Sequence, residues 1–367
     1  MPPTRRTLLT TLTALPLVAG LTAASPPRRR QVEAEAVIDA VFASAAPTAL
    51  AAAIIGREGL RWSAARGVRR ADSSDPATVA DSWHLGSNTK AMTAAVFARL
   101  VEQGRTRWAL PVTEAFPRLP IDPAWLGATL DDFLHHRAGL LDAEVMGMPW
   151  LSTARADPRS LREQRAAIAA AALARPPGGT PGAFAYGNAN YVLVGAAIEA
   201  ITGGSWEDAM RAEVFDPLGI ASGGFGPPAG DNAWGHRLSG DRRLPMNPAD
   251  PGADNPLALG PAGTAHMTLP DYGRFLAAIM EATPGWLSPE SLRILTAPAP
   301  GEPAYAAGWA VRGGRIAHEG SNTMWHAAVV LVPAQGLGLV TVANDAGPGR
   351  VACQQLMQRL MALPSPP

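Results

Sequence analysis

The sequence contains very little cysteine and lysine. Cys353 is the only cysteine in 367 residues, so the chain cannot form an internal disulfide. Its 31 basic residues include a single lysine, Lys90, and balance 31 acidic residues. The absence of net charge disfavours a nucleic-acid-binding or acidic-membrane surface, and we expect a small-molecule or short-chain substrate. A hydrophobic fraction of 47 % permits a large buried core.

The first 25 residues have the composition of an export signal. A basic start is followed by an apolar run from Leu8 to Ala24 and by small residues suited to cleavage. The pair Arg5 and Arg6 resembles a twin-arginine signal, although the residues after it match only in part. We predict that residues 1–25 are a signal peptide and that the protein is periplasmic or extracellular, without stable membrane insertion after cleavage. An uncleaved anchor is the alternative, but the run is short for a membrane span.

Strand patterns lie at both ends of the chain, and helical patterns separated by Pro/Gly loops lie between them. This order predicts an α/β (α+β) fold, with an antiparallel sheet built from both termini, flanked by helices and interrupted by a large helical insertion. We assign residues 26–104 and 299–367 to the sheet domain and residues 105–298 to the inserted helical region. The active site is expected in the cleft between them.

The single lysine lies in the stretch HLGSNTKAMTA, three residues after Ser87. Apolar spacing predicts a helix from Ser87 to Gln103, and serine is a favoured N-cap residue. Residues three apart share a helix face, so the Lys90 amine can reach the Ser87 hydroxyl. A buried lysine loses its proton readily and can then activate a serine as a nucleophile, whose own N–H can face an oxyanion. The same spacing also arises by chance, so the pair needs partners.

Two further segments offer such partners. In AYGNANY, Tyr186 could relay a proton and Asn188 could hold a substrate carbonyl or Lys90; alternatively, the tyrosine packs and the asparagine caps a helix. In AHEGSN, His318 ends a strand, Gly320 permits close approach of a substrate, and the N–H of Ser321 could complete an oxyanion hole. A histidine on a strand is more often an ordinary packed residue.

Together, GSNTK, YGN and HEG resemble the three motifs of the serine β-lactamase and penicillin-binding protein superfamily, in order and separation. The class C β-lactamase-like branch, with its esterases and D-aminopeptidases, is the most similar. TLDDFLHHRAGL, with Ala138 where serine is usual, and the terminal hairpin agree as well, so the resemblance runs from about Gln31 to the last helix. It implies a β-lactamase/transpeptidase-like fold.

The resemblance also implies roles. Ser87 would be the acylated nucleophile, Lys90 its base or the partner of that base, and Tyr186 the proton shuttle. Asn188 would position the substrate, and His318 would replace the usual lysine of the third motif. The implied function is an exported serine hydrolase that forms an acyl-enzyme with small ester, amide or peptide substrates and uses no cofactor or metal.

The histidine at 318 removes a fixed positive charge that would attract a substrate carboxylate, and Glu319 could add a negative one. Both changes weaken the alternatives of a D-Ala-D-Ala carboxypeptidase or a class C-type β-lactamase and favour esters, or amides with a free amine. A non-catalytic penicillin-binding or sensor protein of the same fold is a rival from another class. A metal site at Asp132 and His136, or a Schiff base at Lys90, would leave the other motifs unexplained.

Overall fold

The structure is a computed structural model that describes residues 26–281 and 283–363, with side chains described from residue 31 onward. The predicted signal peptide, and with it the alternative of a membrane anchor, lies outside these residues. None of the helices within them is both long enough and apolar enough to cross a membrane.

The largest element is a seven-stranded antiparallel sheet with the order β2-β1-β12-β11-β10-β9-β8. Strands from the N-terminal and C-terminal segments meet at its centre, where Ala52 of β1 is paired with Thr341 of β12. This confirms the predicted fold class. The strands over the described residues are β1 Ala49–Gly56, β2 Gly59–Gly67, β3 Ser82–His84, β4 Gly224–Phe225, β5 His236–Ser239, β6 Arg242–Pro245, β7 Ala265–Thr268, β8 Tyr305–Ala306, β9 Trp309–Arg312, β10 Arg315–Ser321, β11 His326–Val332 and β12 Leu337–Ala343.

Helices cover both faces of this sheet and fill the space between its terminal segments. The described helices are α1 Pro26–Ala45, α2 Thr89–Glu102, α3 Val112–Ala115, α4 Leu130–Leu134, α5 Asp142–Val145, α6 Met148–Thr153, α7 Leu161–Leu173, α8 Asn188–Thr202, α9 Trp206–Met210, α10 Gly260–Gly263, α11 Leu269–Met280, α12 Pro289–Thr296 and α13 Pro348–Met361. The long middle segment also contains a three-stranded sheet, β3-β7-β4, and the hairpin β5-β6. The domain boundaries themselves stay a prediction.

The sheet separates two hydrophobic cores. On β1, Ala53 and Ile55 belong to the larger core beneath α2, α8 and α11, whereas Leu50 and Ile54 belong to the smaller core beneath α1 and α13. This alternation follows from the two-residue period of a strand. Each fully buried Leu or Ile contributes roughly 1.5–3 kcal/mol relative to an exposed one. The strand is therefore held from both faces, which makes the central sheet a rigid support for the residues above it.

Two local predictions are wrong. Ser87 is not an N-cap: it lies inside a 3-10 turn, Gly86–Asn88, and α2 begins at Thr89. Its hydroxyl is engaged by Lys90 rather than by the helix backbone. The pattern of AYAAGWAV, Ala304 to Val311, also predicts a strand, but the segment is a tight hairpin of β8 and β9, because Gly308 adopts a left-handed φ of 84° against the backbone of Ala91.

Candidate active site

Ser87 and Lys90 meet at the start of α2. The Lys90 Nζ atom lies 3.0 Å from Ser87 Oγ, 2.8 Å from Asn188 Oδ1 and 2.7 Å from the carbonyl oxygen of Ala262. The lysine is fully buried. A neutral amine has two N–H groups and one lone pair, so it can donate to Asn188 and Ala262 and accept from the Ser87 hydroxyl. This arrangement suits a base that removes the serine proton.

The surroundings of Lys90 favour its neutral form. Burial lowers the pKa of the ammonium group to about 7, and the nearby carboxylate of Asp142 opposes this shift without reversing it. No direct ion pair between Lys90 and a carboxylate is found among the described residues. Arginine could not fill this role, because its guanidinium stays protonated.

Tyr186 lies beside this pair. Its ring centroid is 4.9 Å from Lys90 Nζ. The residue as a whole is 45 % exposed, but its hydroxyl lies against Ser87, and burial there raises the pKa to about 12 while the hydrogen bond to Ser87 lowers it. The phenol therefore carries its proton at neutral pH. It is placed to donate a proton and not to act as the first base.

Asn188 is the first residue of α8, and it holds Lys90. Its side chain does not cap the helix, in contrast to the alternative interpretation. The N-terminus of α8 is instead covered by Asp142, whose carboxylate accepts from the N–H of Asn188 at 3.0 Å and of Ala189 at 2.7 Å. Carboxylates stabilise helix N-termini in this way. Asp142 thus positions the amide that in turn positions Lys90.

His318 faces the site from β10 and is uncharged. Its Nδ1–H donates to the carbonyl oxygen of Glu319 at 2.8 Å, so Nε2 accepts from the Tyr305 hydroxyl at 3.1 Å. Burial, helped by the positive charge of Lys90, lowers the pKa of the imidazole to about 3. The expected loss of a fixed positive charge at this position is therefore real in the structure.

The expectation that Glu319 adds negative charge to the site is wrong. Successive side chains on β10 point to opposite faces of the sheet, so Glu319 points away from His318. It lies 3.3 Å from Gln354 of α13 and 3.8 Å from His326, on the far side of the sheet. The two-residue period of the strand could have shown this from the sequence.

Two glycines bring the third motif against the nucleophile. A Cβ atom on Gly320 would lie 2.1 Å from the Leu85 carbonyl oxygen and 2.7 Å from the Ser87 nitrogen. A Cβ on Gly86, which has a left-handed φ of 53°, would lie 2.5 Å from the Ser321 nitrogen. Only residues without side chains allow this approach. The backbone nitrogens of Ser87 and Ser321 therefore lie on adjoining segments, as an oxyanion hole requires.

The metal interpretation of Asp132 and His136 has no support. Asp132 accepts from the N–H and hydroxyl of Thr129 in a helix cap. His136 packs against the Tyr186 ring with centroids 4.5 Å apart, and burial holds the pKa of its imidazole well below the usual range. The described residues contain no group of three His, Cys, Asp or Glu that could hold a metal ion.

Sequence reasoning missed several residues that shape the site. These are Asp142, the Ala262 carbonyl, the Tyr305 partner of His318, and His136 as a packing residue. Ala262 and Tyr305 lie outside the three motifs, whereas His136 lies within the TLDDFLHHRAGL segment and Asp142 follows it by two residues. They come to the site from separate elements, α5, α10, β8 and the turn after α4, so no local pattern shows that they meet.

The fold and the geometry of Ser87, Lys90 and Tyr186 define the class of β-lactamase-related serine hydrolases. A family model described as Beta-lactamase matches residues 34–362. The chain belongs to the Beta-lactamase family, which confirms the superfamily resemblance and the prediction of a serine hydrolase at the level of class.

Individual proteins are more distant. The chain is 26 % identical over 308 residues to the unguisins hydrolase ungD' of Aspergillus campestris (strain IBT 28561), covering 76 % of this chain and 55 % of that protein. It is 28 % identical over 239 residues to penicillin-binding protein 4 of Amycolatopsis lactamdurans, covering 64 % of this chain and 59 % of that protein. The chain therefore spans little more than half the length of these curated relatives.

The fold is also that of solved structures. The octameric penicillin-binding protein homologue from Pyrococcus abyssi superposes with a TM-score of 0.73 at 23 % identity, covering 90 % of this chain and 77 % of that chain. At 23 % identity this similarity supports the fold alone.

Proposed function

We propose that this protein is an exported serine hydrolase that cleaves small esters or amides through an acyl-enzyme on Ser87. One observation carries the proposal: the fully buried Lys90 amine, with a pKa of about 7, lies 3.0 Å from the Ser87 hydroxyl. A nucleophile beside a base that is neutral at the working pH is the requirement for covalent catalysis by serine. The family membership and the name of the unguisins hydrolase support hydrolysis in general.

In the first half-reaction, Ser87 Oγ bonds to the substrate carbonyl carbon while its proton passes to Lys90 Nζ. The N–H groups of Ser87 and Ser321 hold the resulting oxyanion. Collapse of the tetrahedral intermediate breaks the bond to the leaving group, which takes a proton from the Tyr186 hydroxyl. Tyr186 regains that proton from the Lys90 ammonium, leaving a neutral amine and an acylated serine.

In the second half-reaction, water attacks the acyl carbon, and its proton passes through the Tyr186 hydroxyl to the neutral Lys90 amine. The bond between the acyl carbon and Ser87 Oγ breaks, Oγ takes up the proton, and the carboxylic acid leaves. Tyr186 is protonated at neutral pH, so Lys90 is the group that gains and loses the proton in each half-reaction.

The substrate class follows from His318. A neutral imidazole with both nitrogens engaged by Glu319 and Tyr305 supplies no positive charge for a substrate carboxylate. We therefore favour esters, or amides without a carboxylate beside the scissile bond, over D-Ala-D-Ala peptides and β-lactams. Because Glu319 points away, the site offers no special attraction for a free amine from that residue. Efficient cephalosporin hydrolysis would contradict this proposal.

The test of the nucleophile is intact mass after exposure to a broad fluorophosphonate. We expect one adduct on the wild-type protein and none on Ser87→Ala, with Ser291→Ala, a buried serine in α12, as the matched control that keeps the adduct. A folded wild-type protein without an adduct would favour the non-catalytic binding protein. Turnover of an ester panel then separates a hydrolase from a protein that is acylated only once.

Export is part of the proposal and rests on residues 1–25. The test is fractionation of cells that express the whole chain, beside a variant in which Arg5 and Arg6 are both lysine. We expect the mature wild-type mass outside the cytoplasm and retention of the paired variant inside. Equal distribution of the two proteins would contradict the twin-arginine route.

A further inference from the structure

A second buried polar cluster lies behind the nucleophile and takes no part in the proposed chemistry. It consists of His84 at the end of β3, Asp254 in the loop before α10, and Asn322 directly after β10. Their exposed fractions are 1 %, 4 % and 3 %. Burying three polar side chains from three separate segments is costly unless each is hydrogen-bonded, and all three are.

The hydrogen bonds of this cluster fix which nitrogen of His84 carries the proton. The Gly86 N–H donates to His84 Nδ1 at 3.2 Å, so Nε2 carries the proton and donates to Asp254 Oδ2 at 2.8 Å. The other carboxylate oxygen, Oδ1, accepts from Asn322 Nδ2 at 2.6 Å and from the N–H of Asn255 at 2.7 Å. The chain of bonds thus runs without a gap from the Gly86 backbone to Asn322.

Both ends of this series of hydrogen bonds adjoin the proposed oxyanion hole. Gly86 immediately precedes Ser87, and its left-handed turn decides where the Ser87 N–H points. Asn322 immediately follows Ser321, and its Oδ1 accepts from the N–H groups of Met324 and Trp325, both at 3.1 Å. It therefore closes the turn that ends β10. The cluster reaches the two N–H groups from opposite sides.

Two neighbours restrict the movement of the cluster. The Trp325 ring stacks on His84 with centroids 5.3 Å apart, and Arg155 donates to the Asp254 carbonyl oxygen at 2.8 Å and 3.1 Å. The imidazole and the carboxylate are thereby held in one orientation. Support of this kind around a reactive site keeps catalytic groups within the small tolerance that their geometry demands.

We infer that His84, Asp254 and Asn322 are positioning residues that lock the Ser87 and Ser321 N–H groups into one oxyanion hole. The inference deepens the proposed function and rests on it. Neither His84 nor Asp254 touches the substrate in this account. They act through Gly86 and Asn322, and so we expect them to change the rate of acylation more than the binding of the reagent.

The experiment measures inactivation by the fluorophosphonate as separate kinact and KI values for wild type, His84→Asn and His84→Gln. The asparagine amide oxygen can replace Nδ1 as acceptor for Gly86, whereas the longer glutamine amide reaches the position of Nε2 and leaves the Gly86 N–H unpaired. We expect kinact of His84→Gln to fall roughly 10- to 100-fold at little changed KI. His84→Asn should lose less, because it restores the acceptor for Gly86 although not the bond to Asp254. Thermal unfolding of each variant is followed in parallel.

Asn322→Ala provides an independent measurement if a histidine variant fails to fold. It should lower kinact to a similar extent, and the double variant His84→Gln/Asn322→Ala should lose less than the product of the two single losses, because both act on one hole. The inference would be overturned if His84→Gln and Asn322→Ala kept the kinact of wild type. It would also be overturned if the losses of kinact followed the unfolding temperature and not the presence of an acceptor for Gly86. Either result would leave the proposed function standing. Absence of a wild-type adduct at Ser87 would overturn the proposed function as well.

Discussion

The protonation state of Lys90 should set how the rate of acylation depends on pH. If neutral Lys90 removes the Ser87 proton, acylation should follow the fraction of neutral amine. Burial lowers the pKa of Lys90 to about 7, so roughly half of the molecules are competent at pH 7. An unperturbed lysine would be neutral in only about one molecule in 3,000 at that pH. Desolvation by the fold thus accounts for a factor of more than 1,000 in the concentration of active base.

The sign and size of the pH effect follow from this pKa. Protonation removes the base, so the second-order rate constant should fall on the acid side, by about 50-fold from pH 7 to pH 5, and should rise no more than about twofold above pH 7. Three groups around Lys90 keep their charge in this window, because burial lowers the pKa of His318 to about 3 and that of His136 well below its usual range, and raises that of Tyr186 to about 12.

The assay is the rate of fluorophosphonate inactivation between pH 5 and pH 9, with circular dichroism at each pH to show that the protein stays folded. His84→Asn is the matched control, since it removes an imidazole near the site and should keep the acid limb at the same pH. A profile that is flat through pH 7, or a limb centred above pH 9, would refute the assignment of Lys90 as the base.

Four further predictions concern Lys90, His318 and Gly320. Lys90→Arg should abolish measurable turnover with cooperative unfolding retained. Lys90→Met should raise the free energy of unfolding by up to about 5 kcal/mol below pH 7, where folded wild type bears the full cost of a buried charge. Urea unfolding should show this gain shrinking as pH rises toward 10.5, because the pKa of Lys90 is lower in the native state than in the unfolded state. His318→Lys should speed acylation by a carboxylate-bearing cephalosporin about tenfold, with His318→Gln as the unchanged control; equal rates in both variants would contradict the charge argument. Gly320→Ala should slow acylation more than about 100-fold, because its Cβ would meet backbone atoms at 2.1 Å and 2.7 Å, whereas Gly127→Ala has nothing within 4 Å and should behave as wild type.

Local sequence patterns were informative where one element decides the answer. The apolar spacing of α2 and the strand patterns at both ends of the chain predicted one helix of the site and the strands of the central sheet. The Ser87 and Lys90 pair is also local, since three residues on one turn bring the groups together. The prediction failed at Ser87 as an N-cap, because a favoured residue type does not distinguish a capping position from a 3-10 turn.

Tertiary contacts decided the partners of each group. The Asp142 carboxylate accepts from Asn188 across 46 residues of chain, and the Ala262 carbonyl accepts from Lys90 across 172. The Tyr305 hydroxyl meets His318 from β8, only 13 residues away. Strand alternation alone predicts the side of the sheet on which Glu319 lies, and the expectation of a negative charge in the site neglected it. The coupling of His84 to Asn322 through Asp254 exists only because three distant segments fold together.

The sequence by itself determined the fold class and the identity of the groups that can react, because helix and strand periods and side-chain chemistry are local properties. It placed a serine, a lysine, a tyrosine and a histidine in motifs whose order identifies the family. Only the tertiary structure decided their protonation and orientation. In the proposed mechanism Lys90 is the base and Tyr186 the acid. Burial lowers the pKa of Lys90 and His318 and raises that of Tyr186, because it disfavours charge, and burial is a property of the whole fold.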